Sequence, residues 1–206
     1  ALSDNYKQLD TKIIFSNTEV TRSDFASMKL PYPLKKCSIK SYNELMDTLY
    51  SEDERRKIEW AIGSIIAGDS KNIQKFLVFY GEPGTGKSTV LNIIQDLFTG
   101  YYTTFEAKSL TQSSNMFATE AFKSNPLIAI QHDGDLSKIE DNSKLNSIIS
   151  HEEIMINEKY KSAYPMRVNC MLFMGTNKPV KITDAKAGII RRLIDVRPTG
   201  NKVEPS

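Results

Sequence analysis

The sequence predicts an α/β domain with a central, mainly parallel sheet flanked by helices, and three observations predict it. Short continuous apolar runs at residues 76–80, 126–130 and 170–174 have the length and unbroken hydrophobicity of strands buried on both faces. Segments with apolar residues at helical spacing alternate with those runs, as crossover helices do between parallel strands. A glycine-rich turn sits between the first run and the helix that follows it.

The elements follow in order. Residues 1–40 have weak periodicity and end among Pro31 and Pro33, so they read as an arm or linker from a larger protein, with the domain at 41–206. Ser41 with Glu44, and Ser51 with Glu54, have the spacing of capping boxes and open two helices. The second places Ile58, Ala61, Ile62, Ile65 and Ile66 on one face, and Gly68 ends it. After the strand at 76–80 and the glycine turn, Val90, Leu91, Ile94 and Leu97 mark a helix. A strand at 101–105, a polar helical stretch at 109–123 and the strand at 126–130 come next. A helix through Leu145, Ile148 and Ile149 precedes a hairpin at 154–168, the strand at 170–174, and a closing helix end and strand at 189–196.

Composition narrows the function. The chain has 206 residues and a net charge of +2, which excludes a protein coated in lysine but not one that concentrates its cations in one place. Two cysteines, Cys37 and Cys170, make no disulfide framework, and His132 and His151 lack partners at zinc-ligand spacing. No apolar run has membrane-span length. The expected setting is a reducing cytoplasm. The first residue is Ala and the last stretch is polar, so the chain reads as a fragment of a longer protein.

The residues Gly81, Glu82, Pro83, Gly84, Thr85, Gly86, Lys87 and Ser88, with Thr89 beyond them, match the phosphate-binding loop G-x-x-x-x-G-K-[ST]. Glycines let successive backbone N–H groups turn inward toward an anion. The helix that follows presents its positive end to the same anion. Lys87 suits the β- and γ-phosphates, and the Ser88 hydroxyl suits Mg²⁺. Asn177-Lys178 is followed by Pro179 rather than by a guanine-recognising aspartate pattern, so ATP is the expected nucleotide. The strand at 126–130 runs into Gln131, His132, Asp133, Gly134 and Asp135. Asp133 is the candidate for the Mg²⁺ contact through water, Asp135 for polarising the attacking water, and His132 for tuning the site. The alternative is a surface loop with two solvated acids. Asn177, at the tip of the next apolar run, is placed to orient a lytic water, and Arg191 or Arg192 to stabilise developing charge from a neighbouring subunit, with Arg192 preferred.

In their order these motifs resemble superfamily 3 helicases of DNA viruses, phages and plasmids: the glycine loop, Asp133 and Asp135, a basic hairpin, then Gly175-Thr176-Asn177. In texture, with Thr176-Asn177-x-Pro179 and Arg191-Arg192, the chain is most similar to the helicase domains of phage and poxvirus primase-helicases. The resemblance covers residues 50–198. It departs in the acids, which follow Gln131 and His132 and are split by Gly134. The family implies a P-loop, AAA+-like ATPase core that assembles as a ring, usually a hexamer, with ATP between subunits. It implies a hairpin that grips single-stranded DNA in the channel, and counting back from Asn177 places the contact at Lys161 and Tyr160, with Lys159 in support. Lysines pair with phosphate without reading sequence, and a tyrosine stacks on any base. Between Met155 and Thr183 the cations Lys159, Lys161, Arg167, Lys178 and Lys181 stand against Glu158 alone.

The expected function is therefore an ATP-dependent replicative DNA helicase motor, with ATP and Mg²⁺ as cofactors. Its expected partners are single-stranded DNA, further copies of itself and a primase or polymerase domain in the same parent chain, with no membrane. An AAA+ loader or remodeller acting on protein, a small-molecule kinase and a nucleotide-gated DNA-binding module that hydrolyses nothing are the rival readings.

Overall fold

In the computed structural model the described residues are 30–32, 36–112, 114–136, 141–178 and 187–201. The chain divides into Ala1–Cys37 and Ser38–Ser206. The arm expected at 1–40 lies mostly outside the described residues, as do Pro179, Lys181 and Thr183.

The second unit opens with helices α1 (Lys40–Leu49) and α2 (Glu52–Ile66). Ser51 caps α2 as its sequence predicts, its hydroxyl accepting from the Glu54 amide at 3.4 Å. Ser41 does not cap α1. The helix starts one residue earlier, and Ile39 precedes it without a side-chain cap. Its first turn is held instead by α2: the Arg55 guanidinium donates to Asn43 Oδ1 at 2.6 Å and to Asp47 Oδ1 at 2.7 Å, and Tyr42 donates to Glu59. Gly68 follows α2 at φ +72°, the left-handed turn that ends a helix. Ile58, Ala61 and Ile65 are buried as the spacing predicts, but Ile66 is exposed.

Five strands build one parallel sheet: β1 (Phe76–Tyr80), β2 (Tyr102–Thr104), β3 (Ile128–Gln131), β6 (Met171–Thr176) and β7 (Leu193–Val196), in the order β2-β3-β6-β1-β7. The β1, β3 and β6 runs are continuous in apolar residues because both faces are covered. On one face Phe76, Val78, Ala129 and Leu172 join a core with Leu145, Ile148 and Phe122. On the other, Phe79 meets the Tyr50 ring edge-on at a centroid distance of 6.3 Å. Helix α3 (Lys87–Leu97) follows β1 and buries Val90, Leu91 and Ile94.

The polar stretch at 109–123 is not one helix. It holds α4 (Ala107–Thr111) and a single 3-10 turn at Glu120–Phe122. Ser114 and Asn115 lie between them, and the Asn115 side chain accepts from the Phe117 amide at 3.2 Å, a local bond that competes with helix. Helix α5 (Ser143–Ile149) leads to an antiparallel pair, β4 (Glu153–Ile156) and β5 (Tyr164–Arg167), in register Glu153↔Arg167 and Ile156↔Tyr164. Helix α6 (Ala187–Ile190) precedes β7. His151 is buried with its ring nitrogens 3.1 Å from the Val168 carbonyl and 3.0 Å from that of Ile73, tying the hairpin to the chain before β1.

Two glycines decide how closely β3 and β6 end together. The Gly134 amide donates to the Gly175 carbonyl at 2.7 Å. A Cβ on Gly175 would collide with the His132 backbone carbonyl, and one on Gly134 with the Met174 side chain. Gly175→Ala is therefore expected to lower the unfolding free energy by about 1–3 kcal/mol in urea denaturation, because backbone cannot yield. Gly134→Ala should cost less, since a thioether can move.

Candidate functional site

Parallel strands deliver their C-terminal ends to one edge of the sheet, and β3, β6 and β1 are neighbours there. The turn after β1 runs through Gly84 and Gly86, at φ +79° and +80°. Gly86 starts α3 without room for a side chain: a Cβ there would lie 2.5 Å from Leu49 Cδ1 of α1. The turn is further fixed by the Thr85 hydroxyl, which donates to the Glu82 carbonyl at 2.8 Å. Its first amide, on Gly81, donates to the Thr176 carbonyl at the tip of β6, 3.2 Å away.

Lys87 is buried, 7% exposed, and its ammonium donates to the carbonyls of Gly81 and Glu82, both at 2.7 Å. Burial pushes its pKa down, and the charges of Asp133 and Glu82 oppose that shift. Glu82, Pro83, Gly84, Ser88 and Thr89 are exposed around the turn. The two hydroxyls sit on the first turn of α3, whose leading amides have no intrahelical acceptor.

The acids come from the loop after β3. Asp133 is exposed, and its charge acts on both Lys87 and Lys178. Asp135 is half-buried and ion-paired with Lys178, Oδ2 to Nζ at 2.7 Å, which raises the Lys178 pKa. Gln131 braces that loop: its side-chain oxygen accepts from the Ala107 amide at 2.9 Å, and its side-chain nitrogen donates to the Asp133 carbonyl at 3.3 Å. Asn177 is exposed directly after β6. The Thr176 hydroxyl accepts from the Lys178 amide at 3.1 Å and shapes that tip. Lys87, Ser88, Asp133, Asp135 and Asn177 therefore share one edge of the sheet.

Arg191 and Arg192 do not. They precede β7, and the Phe76 amide donates to the Arg192 carbonyl at 3.0 Å, so both lie at the opposite, N-terminal edge. Arg192 is buried. Its Nε donates to Ser150 Oγ and a terminal nitrogen to the Gly188 carbonyl, each at 2.9 Å. Arg191 is exposed, and its carbonyl accepts from Lys75 Nζ. Arg192, preferred by the sequence as the arginine for a neighbouring subunit, is thus the buried one of the two and Arg191 the exposed one.

The hairpin candidates lie in the turn between β4 and β5. Tyr160 is fully exposed at φ +64°, a conformation uncommon outside glycine, and Lys159 is exposed beside it. Lys161 is paired with Glu158 at 2.8 Å. Glu158, Lys178 and the glycine pair Gly134 and Gly175 are residues that the sequence reading passed over as partners. Glycines at the ends of apolar strands are a readable signal of close backbone approach.

A family model described as a family of unknown function, DUF5906, matches residues 79–192, more than half of the chain. The chain belongs to that family. The DUF5906 segment runs from the end of β1 to Arg192, so it spans the glycine turn, both acids, the hairpin, Asn177 and the two arginines. No curated protein matches. Among solved structures, two of the C-terminal region of NrS-1 are similar at 17% and 18% identity, with TM-scores of 0.61 and 0.58. They cover 82% and 81% of this chain, which spans about two fifths of theirs, 40% and 39%. A JCV helicase structure is similar at 14% identity, with a TM-score of 0.48, covering 69% of this chain and 41% of that one. Over the matched residues this DUF5906 chain shares the fold of the NrS-1 C-terminal region. No helix among the described residues is long and apolar enough to cross a membrane.

The two arginines separate in a stability measurement. Arg192→Ala removes a buried guanidinium that holds Ser150 and Gly188, and is expected to cost about 1–3 kcal/mol in chemical unfolding. Arg191→Ala, on the surface, should stay within about 0.5 kcal/mol of the unsubstituted protein.

Proposed function

We propose that the chain is the motor domain of an ATP-dependent DNA helicase, acting on single-stranded DNA as a ring of identical subunits. The observation that carries this reading is the convergence of three adjacent strand ends, which sets Lys87 and Ser88, Asp133 and Asp135, and Asn177 on one edge. The turn fits a triphosphate by its donor set. Gly84 and Gly86 take conformations that open the backbone toward an anion, and the Lys87 ammonium already rests on carbonyl oxygens that phosphate oxygens would replace. Gly81, Glu82, Pro83, Gly84, Thr85, Gly86, Lys87, Ser88 and Thr89 would hold the nucleotide. The Ser88 hydroxyl, with Asp133 through water, would hold Mg²⁺, which would supply neutralisation of phosphate charge.

The chain's own residues then divide the work. Lys87 draws phosphate charge toward the start of α3. Asn177 would orient the attacking water, and Asp135, the acid that would polarise it, is engaged by Lys178 at 2.7 Å. The strands separate the two edges by five residues, about 16 Å at ~3.3 Å per residue. An arginine before β7 therefore cannot reach the turn of its own subunit, and Arg191 would act on a neighbour's nucleotide. The proposed ring follows from that separation, a hexamer being the family's usual form. Lys159, Tyr160 and Lys161 would grip the strand inside it. Residues 1–40 would connect to further domains of a longer parent chain, a primase or polymerase among them.

The test is phosphate release from ATP with and without oligodeoxythymidine, alongside particle mass with a non-hydrolysable ATP analogue. Hydrolysis stimulated by the oligonucleotide and a mass several times that of the monomer are expected. Lys87→Ala should lower hydrolysis by at least about 100-fold. Arg191→Ala should lower it similarly, and mixing it with Lys87→Ala protein should restore part of the activity, since each supplies what the other lacks. A flat response to DNA would favour a remodeller acting on protein, and full activity of a monomeric Arg191→Ala protein would favour a kinase.

A further inference from the structure

The hairpin turn is built around one buried carboxylate. Glu158 is 9% exposed, yet three groups from different places converge on it. Lys161 Nζ lies 2.8 Å from Oε2, and Lys123 Nζ lies 3.6 Å from the same oxygen. The Tyr164 hydroxyl donates to Oε1 at 3.1 Å. Lys123 comes from outside the hairpin, just after the 3-10 turn, and is also paired with Glu120 at 3.2 Å. That segment is locked to the hairpin by Thr119, whose hydroxyl donates to the Met155 carbonyl at 3.0 Å and accepts from the Asn157 amide at 3.2 Å. The Lys161 bond first, then the Tyr164 hydroxyl and the Lys123 charge, lower the carboxylate's pKa.

Two ammonium groups and a hydroxyl directed at a pair of anionic oxygens form the donor set that a phosphodiester also satisfies. Both lysines keep exposed side chains, 64% for Lys161 and 48% for Lys123. Lysine is a compact charge on a flexible stem, so it can change acceptor without moving the backbone. We propose that Glu158 is a positioning residue for nucleic acid, an internal stand-in for a backbone phosphate that holds Lys161 and Lys123 and gives them up to DNA, and that Lys123 is a further DNA contact. The inference rests on the hairpin reading given above. It explains how the chain keeps its hairpin cations ordered without DNA: Lys161 and Lys123 rest on Glu158, Glu120 also holds Lys123, and a phosphate binds by taking the place of the Glu158 carboxylate.

The experiment is binding of the full chain to fluorescent oligodeoxythymidine across a salt series. Glu158→Gln is expected to tighten binding threefold to tenfold, about the scale of one partly exposed ion pair. The log–log salt slope should steepen by about 0.7, one more phosphate engaged on a single strand. Glu153→Gln, which removes an exposed acid from the same hairpin, is the control for net charge and should change affinity less than twofold. Lys123→Ala should weaken binding about threefold and make the slope shallower by about 0.7. It does not depend on Glu158→Gln folding normally. An equal gain in Glu153→Gln and Glu158→Gln would overturn the exchange, as would a Lys123→Ala protein that binds like the unsubstituted chain. If the unsubstituted chain binds no oligodeoxythymidine, the helicase reading falls with it. If it binds, and Glu158→Gln and Lys123→Ala leave it unchanged, the exchange alone falls.

Discussion

The site depends on how tightly the C-terminal ends of β3, β6 and β1 are drawn together. Parallel pairing sets the register, and two backbone bonds beyond the strands hold it: Gly134 to the Gly175 carbonyl, and Gly81 to that of Thr176. Both arise where side chains are small. A β-carbon on Gly175 would push the loop carrying Asp133 away from the tip carrying Asn177. The glycine turn is pressed from its other side by Leu49, so α1 fixes where α3 begins. Strand order alone would bring these loops to one edge. The close backbone contacts bring the acid loop and the asparagine tip together there.

The same arrangement separates the candidate site residues into two groups at opposite edges of the sheet. Everything that would hold and attack a triphosphate lies at the C-terminal edge. The arginines lie at the other, where Arg192 is used inside the fold to join α5, α6 and β7 through Ser150 and Gly188. A buried guanidinium must be satisfied by acceptors, and it cannot turn outward without leaving them unpaired. Arg191, one residue earlier, is exposed because the turn before β7 sends successive side chains in different directions.

The strands and most helices were legible in the sequence because burial on both faces leaves continuous apolar runs, as in Phe76 to Tyr80, and one-sided burial leaves helical spacing, as in Ile58, Ala61 and Ile65. The glycine turn was legible because its residue types are dictated locally. What failed was set by distant partners. Ser41 looked like a cap, but Arg55 and Glu59 fix that turn from the next helix. The stretch 109–123 looked helical, but the Asn115 side chain bonds the Phe117 amide and competes with the helix. The pairs Asp135–Lys178 and Glu158–Lys161 differ in the same way. The second is three residues apart and could have been read. The first joins β3 to β6, and only the sheet order brings it together.

Those pairs also alter the meaning of the net charge of +2. By sequence, the cations of the hairpin and of the tip after β6 stand almost unopposed. In the fold Lys161 and Lys178 each have a carboxylate within 2.8 Å, and Lys123 is shared between Glu120 and Glu158. Each of those carboxylates offsets the charge of its lysine, which weakens attraction to nucleic acid at a distance from these residues. Binding would instead depend on a phosphate coming close enough to replace a carboxylate, a contact interaction that a hairpin enclosed by neighbouring subunits can enforce and an open surface cannot. Under the proposed function Lys161 is a grip residue stored on an internal anion, while Lys159 stands exposed beside it. Such a pairing would let the hairpin release DNA by returning Lys161 to Glu158.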